Sequence, residues 1–457
     1  MHWSKYNILY NIEDDSYVLY NMLSGFFSQI DNVLYKKIID VKNNKNINLL
    51  SQKEYDIFCK NKVLVNSDDE EFDKIKAAIL RERNDSRRLN LTLAPTQDCN
   101  FKCKYCFESS RPAIYMKENV EEAIVQFVAK QKPDIVHVCW YGGEPLMAKD
   151  SIFRLTEKLQ SLGKKYSASI VTNGYLMDES FILSLNKLKI KLVQITIDGN
   201  KTIHNERRPH ISDSNSFDKI VNNIKNLVNL TKGDIFLSVR VNVDKTNQCD
   251  FVDVYRMIKN IEPTIQVYPG FVHDESSCKS SCYFNNKKEQ ATFYNNLYSQ
   301  HHIYIPEMAP SFIMSSCMAR CSNSFLIGPM GEIYKCWHHL GCSDKIIGNV
   351  LKENVLFNTV ELNRYLKEDD YIDNIQCKKC KFFPICGGGC ADFRINKKES
   401  DCTVFKYNML SFLRMKYNFY QLNLLNKSLY LQPIITQYFI DNKSEIWLLF
   451  LIAHSKR

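Results

Sequence analysis

Residues 89–108 read LNLTLAPTQDCNFKCKYCFE, an apolar stretch of strand character that leads directly into three closely spaced cysteines. Cys99, Cys103 and Cys106 follow one another at intervals of four and three positions. Three thiolates on a loop that leaves a strand suit three corners of a cube-shaped iron–sulfur cluster, whose fourth iron then stays open to another ligand. A zinc site completed by a ligand from elsewhere in the chain, and a loop of unligated thiols, are the alternatives at this point.

The chain that follows alternates between strand and helix patterns. Helical periodicity is present over 118–131, 151–163 and 216–231, between short apolar and β-branched runs. These runs are DIVHVCWYG, SASIVTNG, LVQITIDG, DIFLSVRVNVD and TIQVYPG. Such alternation predicts βαβ units around a parallel sheet. Together with LNLTLAP the runs make six strands, so we expect an α/β fold, a partial (β/α)6 TIM-like barrel, with its site at the carboxyl ends of the strands.

Four short motifs occur at the ends of these strands. Tyr105 precedes the last cysteine of the triplet, and it is followed by YGGEP (Tyr141–Pro145), TNG (Thr172–Gly174) and TIDG (Thr196–Gly199). In this order the motifs resemble those of the radical S-adenosylmethionine (SAM) enzymes, over roughly residues 89–275. The resemblance implies a barrel of the radical SAM type. It also implies reductive cleavage of SAM to a 5′-deoxyadenosyl radical that abstracts hydrogen from a C–H bond, in a site that excludes water.

The resemblance assigns roles to individual residues. It implies that Cys99, Cys103 and Cys106 hold a [4Fe–4S] cluster whose open iron is chelated by SAM. The residues expected to contact SAM are Gly142, Gly143 and Glu144 at its amino group, Thr172 and Asn173 near its ribose, Tyr105 near its adenine, and Arg208 (or its neighbour Arg207) at its carboxylate. Glycine permits close backbone approach, a carboxylate accepts hydrogen bonds from an ammonium group, and a forked guanidinium suits a carboxylate. Asp198 and His204 are expected to form turns.

Composition limits the other classes of protein. The chain has 457 residues and 17 cysteines, and its formal net charge of +9 arises from basic residues interleaved with acids, which does not indicate a nucleic-acid surface. The first residues carry no secretion signal, and the longest apolar run, 446–453, is much shorter than the about 20 residues of a membrane span. A high cysteine content in a protein that is not in an oxidising compartment indicates metal or redox chemistry. We therefore expect a cytoplasmic protein with neither a nucleic-acid nor a membrane partner.

Nine cysteines lie between Cys317 and Cys402, where periodicity is weak and bound metal is expected to hold the fold. Their order is C-x9-G-x4-C, then C-x2-C-x5-C-x3-C, then a final C, which resembles the SPASM domain of radical enzymes that modify peptides. That resemblance implies two auxiliary [4Fe–4S] clusters, and so three clusters in all. One auxiliary set is Cys377, Cys380, Cys386 and Cys402, and the other is Cys321, Cys336, Cys390 and Cys317. Cys342 is the alternative to Cys317 as the fourth ligand of the second set, and zinc is the alternative metal for the C-x2-C pairs.

Shifts in composition predict four segments. Residues 1–88 contain a predicted hairpin around 13–15, a helix over 28–41, and a second helix and short strand within 49–65, which suit a winged-helix-like domain ending in a helical linker over 68–88. The remaining segments are a radical SAM core over 89–314, a SPASM domain over 315–410 and a helical tail over 411–457.

Two features bear on the substrate. The SPASM-like cysteines resemble those of enzymes that mature ribosomally made peptides, and the N-terminal layout resembles domains that bind a leader peptide at an exposed strand edge. A packing role is the alternative for that domain. Trp337 stands where sulfatase maturases of this type place an aspartate base, so we expect a Cys thioether cross-link in a precursor peptide.

Several other activities stay open from the sequence. They are carbon–carbon cross-linking, epimerisation and sulfatase-maturase-like protein modification, and, outside catalysis, a multi-cluster electron-transfer protein or a zinc-binding interaction module. A flavodoxin or ferredoxin is the expected reductant of the radical enzyme.

Overall fold

The computed structural model describes residues 1–13, 15–108, 112–272, 282–314 and 317–425. Within these ranges the chain forms two compact units. Among the described residues, unit 1 comprises Met1–Arg83, Asn286–Cys317 and residues 369–425, and unit 2 comprises Asn84–Asn285 and Met318–Glu368. The four-segment division by sequence stays a prediction.

The N-terminal part of unit 1 has two small antiparallel sheets and three helices. The first sheet pairs β1 (His2–Trp3) with β5 (Leu64–Val65), and the second has the order β2–β3–β4, formed by Asn7–Glu13, Ser16–Asn21 and Phe27–Asp31. The helices are α1 (Asn32–Asn44), α2 (Gln52–Lys60) and α3 (Asp68–Arg83). Their apolar faces share a core that includes Leu19, Ile38, Phe58 and Val63.

The sequence prediction for this part was correct for the hairpin and wrong for the start of the following helix. β2 and β3 pair antiparallel around the acidic turn, as predicted. The helix predicted from Ser28 begins instead at Asn32, because Phe27–Asp31 forms the third strand of the sheet. Asp31 ends that strand and caps α1, its carboxylate accepting a hydrogen bond from the amide of Leu34 at 2.8 Å. A capping aspartate of this kind is the sequence signal that marks the true boundary.

Unit 2 is built on six parallel strands in sequential order. They are β6 (Arg88–Leu93), β7 (Ile135–Trp140), β8 (Lys165–Thr172), β9 (Ile190–Thr196), β10 (Phe236–Val243) and β11 (Gln266–Phe271). The helices between them are α4 (Glu118–Gln131), α5 (Lys149–Gln160), α6 (Glu179–Ser184), α7 (Lys201–Arg207), α8 (Ser216–Thr231) and α9 (Asp250–Ile261). All six predicted strands are present, and the parallel α/β fold is confirmed.

The remaining helices and strands follow in chain order. They are α10 (Lys287–His301), β12 (Ser324–Ile327), β13 (Glu332–Tyr334), β14 (Gly348–Asn349), α11 (Thr359–Lys367), α12 (Ile375–Lys379), α13 (Phe383–Cys386), α14 (Ala391–Lys397) and α15 (Phe405–Leu425). The predicted helical tail is present as far as Leu425, and the rest of that prediction lies outside the described residues. No helix in the described ranges has the length and apolar character needed to cross a bilayer.

The first half of the cysteine-rich segment corrects a sequence expectation. β12 pairs parallel with β6, and β13 and β14 continue the sheet, so the parallel sheet has nine strands in the order β11-β10-β9-β8-β7-β6-β12-β13-β14. Leu326, Ile327 and Ile333 are fully buried in it. This part of the segment therefore buries apolar surface in the sheet. The strands were missed because each has four residues or fewer, too short to show alternation.

A buried ion pair holds α3 against the later part of unit 1. Arg83 donates to Asp370 at 2.6 Å, and both side chains are almost fully enclosed. The helix predicted within the linker over 68–88 is thus present, and its last turn packs within unit 1. Removing one member of such a pair leaves an uncompensated buried charge.

We expect Arg83→Met to destabilise the protein by roughly 3–5 kcal/mol, because Asp370 then stays charged and unpaired in the interior. The matched control is Lys76→Met, which removes the exposed pair between Lys76 and Asp373 and is expected to cost under about 1 kcal/mol. Urea unfolding of the two variants and the wild type measures both values, and equal costs would contradict a stabilising role for the buried pair.

Candidate active site

Three cysteines of one loop line a cavity in unit 2. Cys99, Cys103 and Cys106 follow β6 and lie at the carboxyl ends of the strands, as predicted. The cavity has a volume of about 160 Å³. Its wall contains almost all of the predicted SAM-contacting residues, namely Tyr105, Gly142, Gly143, Thr172, Asn173 and Arg208. Glu144 is the one predicted contact absent from the wall.

Backbone contacts hold the cysteine loop in place. Phe101 forms an isolated antiparallel bridge with His210, and the amides of Lys102 and Lys104 donate to the carbonyls of Pro209 (2.8 Å) and Arg207 (3.1 Å). The loop thus lies along the segment that follows α7. This pairing fixes the loop that carries the thiols without using any of their side chains.

Two glycines at the end of β7 bring its backbone against the same loop. A Cβ on Gly143 would lie 2.2 Å from the carbonyl oxygen of Asp98, and one on Gly142 would lie 2.4 Å from that of Thr96. Gly142 also has φ +115°, a conformation that side chains disfavour. The amide of Gly143 donates to Thr96 (3.2 Å), so only a residue without a side chain fits here. This close approach is the physical reason for the paired glycines.

The side chain of Glu144 joins the ends of β7 and β8 from inside the protein. Its carboxylate is fully buried and accepts hydrogen bonds from the hydroxyl of Thr172 (2.6 Å) and from the amides of Asn173 (2.7 Å) and Leu146 (3.0 Å). Burial raises the pKa of this carboxyl, and the hydrogen bonds oppose that shift. Contact between the Glu144 carboxylate and an ammonium group stays a prediction; what the geometry shows is a positioning role.

A polar network that the sequence did not reveal surrounds Tyr105. The tyrosine hydroxyl donates to the carboxylate of Asp198 and accepts hydrogen bonds from Arg208 (2.5 Å) and from the side chain of Asn242 (2.9 Å). Asp198 is completely buried and so does more than form the expected turn. Both Asp198 and Asn242 occur at carboxyl ends of parallel strands, which is the signal that would have flagged them.

The two neighbouring arginines have different surroundings. Arg207 pairs with Asp244 at 2.7 Å and is absent from the cavity wall. Arg208 lines the cavity beside Tyr105. Burial lowers the pKa of Arg208, but the negative charges of Cys103, Tyr105 and Asp198 outweigh it and raise the pKa overall. The structure therefore favours Arg208 over Arg207 as a contact to a ligand in the cavity.

The donor set fits an iron–sulfur cluster better than a single ion. Burial raises the pKa of the Cys99 thiol, and the charges of Glu144 and the other two cysteines add to this effect, so a bound cation is needed to stabilise the thiolates. The described part of the chain contains no group of three or more His, Cys, Asp or Glu side chains able to share one metal ion. A cluster does not require such a group, because each thiolate binds a different iron.

All four cysteines of one predicted auxiliary set belong to unit 1. The charges of Cys380 and Cys402 act on Cys377, and those of Cys402 and Cys377 act on Cys386, whose pKa burial raises to about 11. The Lys406 ammonium lies 3.5 Å from the Cys402 sulfur. Their sharing of one cluster stays a prediction.

The second predicted auxiliary set is divided between the two units. Cys390 and Cys317 belong to unit 1, where the charge of Cys317 acts on Cys390, while Cys321 and Cys336 belong to unit 2. This grouping, and the choice between Cys317 and Cys342, stay predictions.

The parallel sheet, the three-cysteine loop and the glycine turn form the radical SAM domain of an enzyme, and the cysteine order of a SPASM domain follows it. Residues 93–258 match the family model described as the Radical SAM superfamily. Such enzymes use a [4Fe–4S] cluster and SAM, and the residues around the cavity fit both.

Comparison with known proteins gives the following relatives. The chain is 26% identical over 362 residues to a cysteine-type anaerobic sulfatase-maturating enzyme of Clostridium perfringens (strain 13 / Type A), across 70% of this chain and 93% of that protein. It is 23% identical over 451 residues to the radical SAM cyclopropyl synthase TigE of Paramaledivibacter caminithermalis, across 85% of this chain and 89% of that protein. Its fold matches a solved structure of native anSMEcpe with bound AdoMet and Cp18Cys peptide, with a TM-score of 0.56 and 22% identity over 75% of this chain and 100% of the other.

We expect Gly143→Ala to weaken SAM binding by about tenfold or more, because the added methyl group overlaps a backbone oxygen that cannot move without displacing the cysteine loop. Gly163→Ala is the control, because a Cβ added at Gly163 meets nothing within 4 Å. Equilibrium dialysis with labelled SAM, on anaerobically reconstituted protein, compares the two. Equal affinities would show that the close approach at Gly143 is not needed for the site.

Proposed function

We propose that this chain is a maturase that removes a hydrogen atom from a residue of a peptide or protein substrate and so starts its covalent modification. The observation that carries the proposal is that one cavity joins the three thiols of Cys99, Cys103 and Cys106 to the glycine backbone at Gly142 and Gly143. When bound, the cluster and SAM supply a 5′-deoxyadenosyl radical, with an electron from a flavodoxin- or ferredoxin-like protein. The residues of the chain hold the reactants and keep water out.

The relatives support a peptide or protein substrate. Two of them are named as sulfatase-maturating enzyme and cyclopropyl synthase, and the solved neighbour is described with a bound peptide. Because the chain covers most of the length of these proteins, the proposal extends to the whole enzyme.

For the product, we keep a Cys thioether as the first candidate. Position 337 is a tryptophan and therefore supplies no carboxylate. Its ring packs against that of Tyr141, with the two centroids 4.5 Å apart. A carboxylate does reach the cavity from elsewhere, because Glu108 lines it and accepts a hydrogen bond from the Tyr141 hydroxyl. Formylglycine-type oxidation therefore stays a competing product, together with carbon–carbon cross-linking and epimerisation.

Mass spectrometry of the modified peptide separates these products. Thioether formation removes one hydrogen atom, the thiol proton and one further electron from the peptide. An auxiliary cluster would accept that electron. The product has no free thiol at the modified Cys and so does not react with iodoacetamide. Formylglycine reacts with a hydrazide probe. Epimerisation leaves the mass unchanged, and a carbon–carbon cross-link loses hydrogen while its cysteines remain alkylatable.

Replacing Cys99, Cys103 and Cys106 together by Ala is expected to abolish formation of 5′-deoxyadenosine, because the SAM-binding cluster loses all its protein ligands. Iron content should fall from about twelve to about eight atoms per chain, since the two proposed auxiliary clusters keep theirs. Cys249→Ala, at an exposed cysteine outside the proposed sets, is the control and should change neither value. Retained cleavage of SAM in the triple variant would contradict the site assignment.

We further propose that the N-terminal part of unit 1 binds a leader segment of the substrate. Among the described residues β4 pairs with one strand only, β3, so its outer edge has no strand partner there. An extended peptide can add to such an edge through main-chain hydrogen bonds.

If so, adding the peptide product of a neighbouring gene should slow amide exchange across Phe27–Asp31 by about tenfold or more, because added hydrogen bonds protect the strand. The first turn of α2 serves as the internal reference and should not change. Hydrogen–deuterium exchange with mass spectrometry makes the measurement. Protection confined to other segments would contradict the proposal for β4.

A further inference from the structure

A buried guanidinium on β10 faces the same cavity. Ser238, Arg240 and Asn242 alternate with Val239, Val241 and Val243, which are fully buried on the opposite side of the strand. Both Arg240 and Asn242 line the cavity, and Arg240 is only 4% exposed. The strand thus presents a positive charge to the enclosed space.

The fold makes room for this guanidinium and orients it. The Nε atom donates to the side-chain oxygen of Asn242 at 2.7 Å. On the adjacent strand, a Cβ built on Gly270 would lie 2.1 Å from the guanidinium carbon, so the glycine leaves the space that the group fills. The ring of Tyr268 lies 5.9 Å from the same carbon. A side chain held in this way is prepared for a ligand before the ligand arrives.

Among the described residues, Arg240 has no carboxylate partner. Arg207 and Arg208 differ from it in this respect. Arg207 pairs with Asp244, and Arg208 lies 3.9 Å from Asp198 and closer still to the Tyr105 hydroxyl. Burying a charge is unfavourable unless an opposite charge or hydrogen-bond acceptors compensate it. The terminal nitrogens of Arg240 present a fork of donors that a carboxylate matches.

Arg208 and Arg240 differ in how they reach the cysteine loop. Arg208 donates directly to the hydroxyl of Tyr105 in that loop at 2.5 Å, whereas Arg240 is linked to the same hydroxyl through the side chain of Asn242. In the part of the chain that the structure describes, Arg240 contacts Asn242 and Tyr268 and lies against Gly270, all on β10 and β11. Arg208 is therefore the better placed of the two for the methionine carboxylate.

We propose that Arg240 binds a carboxylate of the substrate, so that the residue modified by this enzyme lies beside an acidic side chain or a chain terminus. This inference rests on the proposed function, because it assigns the substrate class of the same cavity. A charge-assisted pair in a buried site contributes about tenfold or more in affinity.

The test uses pooled short N-acetylated peptides, each with one Cys and variable neighbours, made both as free acids and as C-terminal amides. Mass spectrometry measures which members are modified by the wild type, Arg240→Gln, Arg240→Lys and Arg256→Gln. The wild type should modify carboxylate-bearing members about tenfold or more above their amide isosteres. Arg240→Gln should bring that ratio to about one, Arg240→Lys should retain part of it, and Arg256→Gln, at an exposed position on α9, should behave like the wild type.

The outcomes distinguish an acidic side chain from a chain terminus as the source of the carboxylate. They also distinguish failure of this inference from failure of the proposed function. Preference for acidic side chains supports a side-chain partner, and preference for free acids supports a terminus. The inference is overturned if the wild type forms 5′-deoxyadenosine but shows no preference for acidic members, or if Arg240→Gln keeps the wild-type ratio. A tenfold loss of SAM affinity in Arg240→Gln without peptide would also overturn it, since the carboxylate would then be that of SAM. Failure of the wild type to form 5′-deoxyadenosine would instead contradict the proposed function.

Discussion

The amides of Gly143 and Glu144 donate to the carbonyl oxygens of Thr96 and Asp98, at 3.2 and 2.8 Å, and so join the end of β7 to the loop that carries the cysteines. The contact is only possible because no side chain stands at Gly142 or Gly143. The buried carboxylate of Glu144 then fixes the same turn to the end of β8. The remaining features of the cavity depend on this joint, because it sets the distance between the thiols and the neighbouring strand ends.

Charge is distributed unevenly around the cavity. Asp244 and Asp198 compensate Arg207 and Arg208, whereas Arg240 has no such partner in the part of the chain that the structure describes. In an enclosed site each of these charges acts more strongly than in water. Arg207 and Arg208 thus each have a carboxylate of the protein nearby, while Arg240, within the described ranges, faces the cavity without one.

Sequence patterns predict the structure best where a regular pattern extends over many residues. All six parallel strands are predicted because each apolar run is bounded by turns or helices, and α8 begins and ends where its 3.6-residue pattern does. The pattern fails at Phe27–Asp31, where a short strand passes directly into α1. It fails again at β12–β14, because strands of two to four residues are stabilised by neighbours distant in sequence rather than by their own alternation.

The sequence by itself determined the cysteine spacings, the paired glycines and the order of strands and helices, because these depend on residue type and on separations of a few positions. Tertiary structure alone decided which polar side chains meet. It buried Glu144 as a positioning group, joined Tyr105 to Asp198 and Asn242, and left Arg240 facing the cavity beside the space at Gly270. Side chains from different strands come together only when the sheet forms, and no pattern along the chain records those distances.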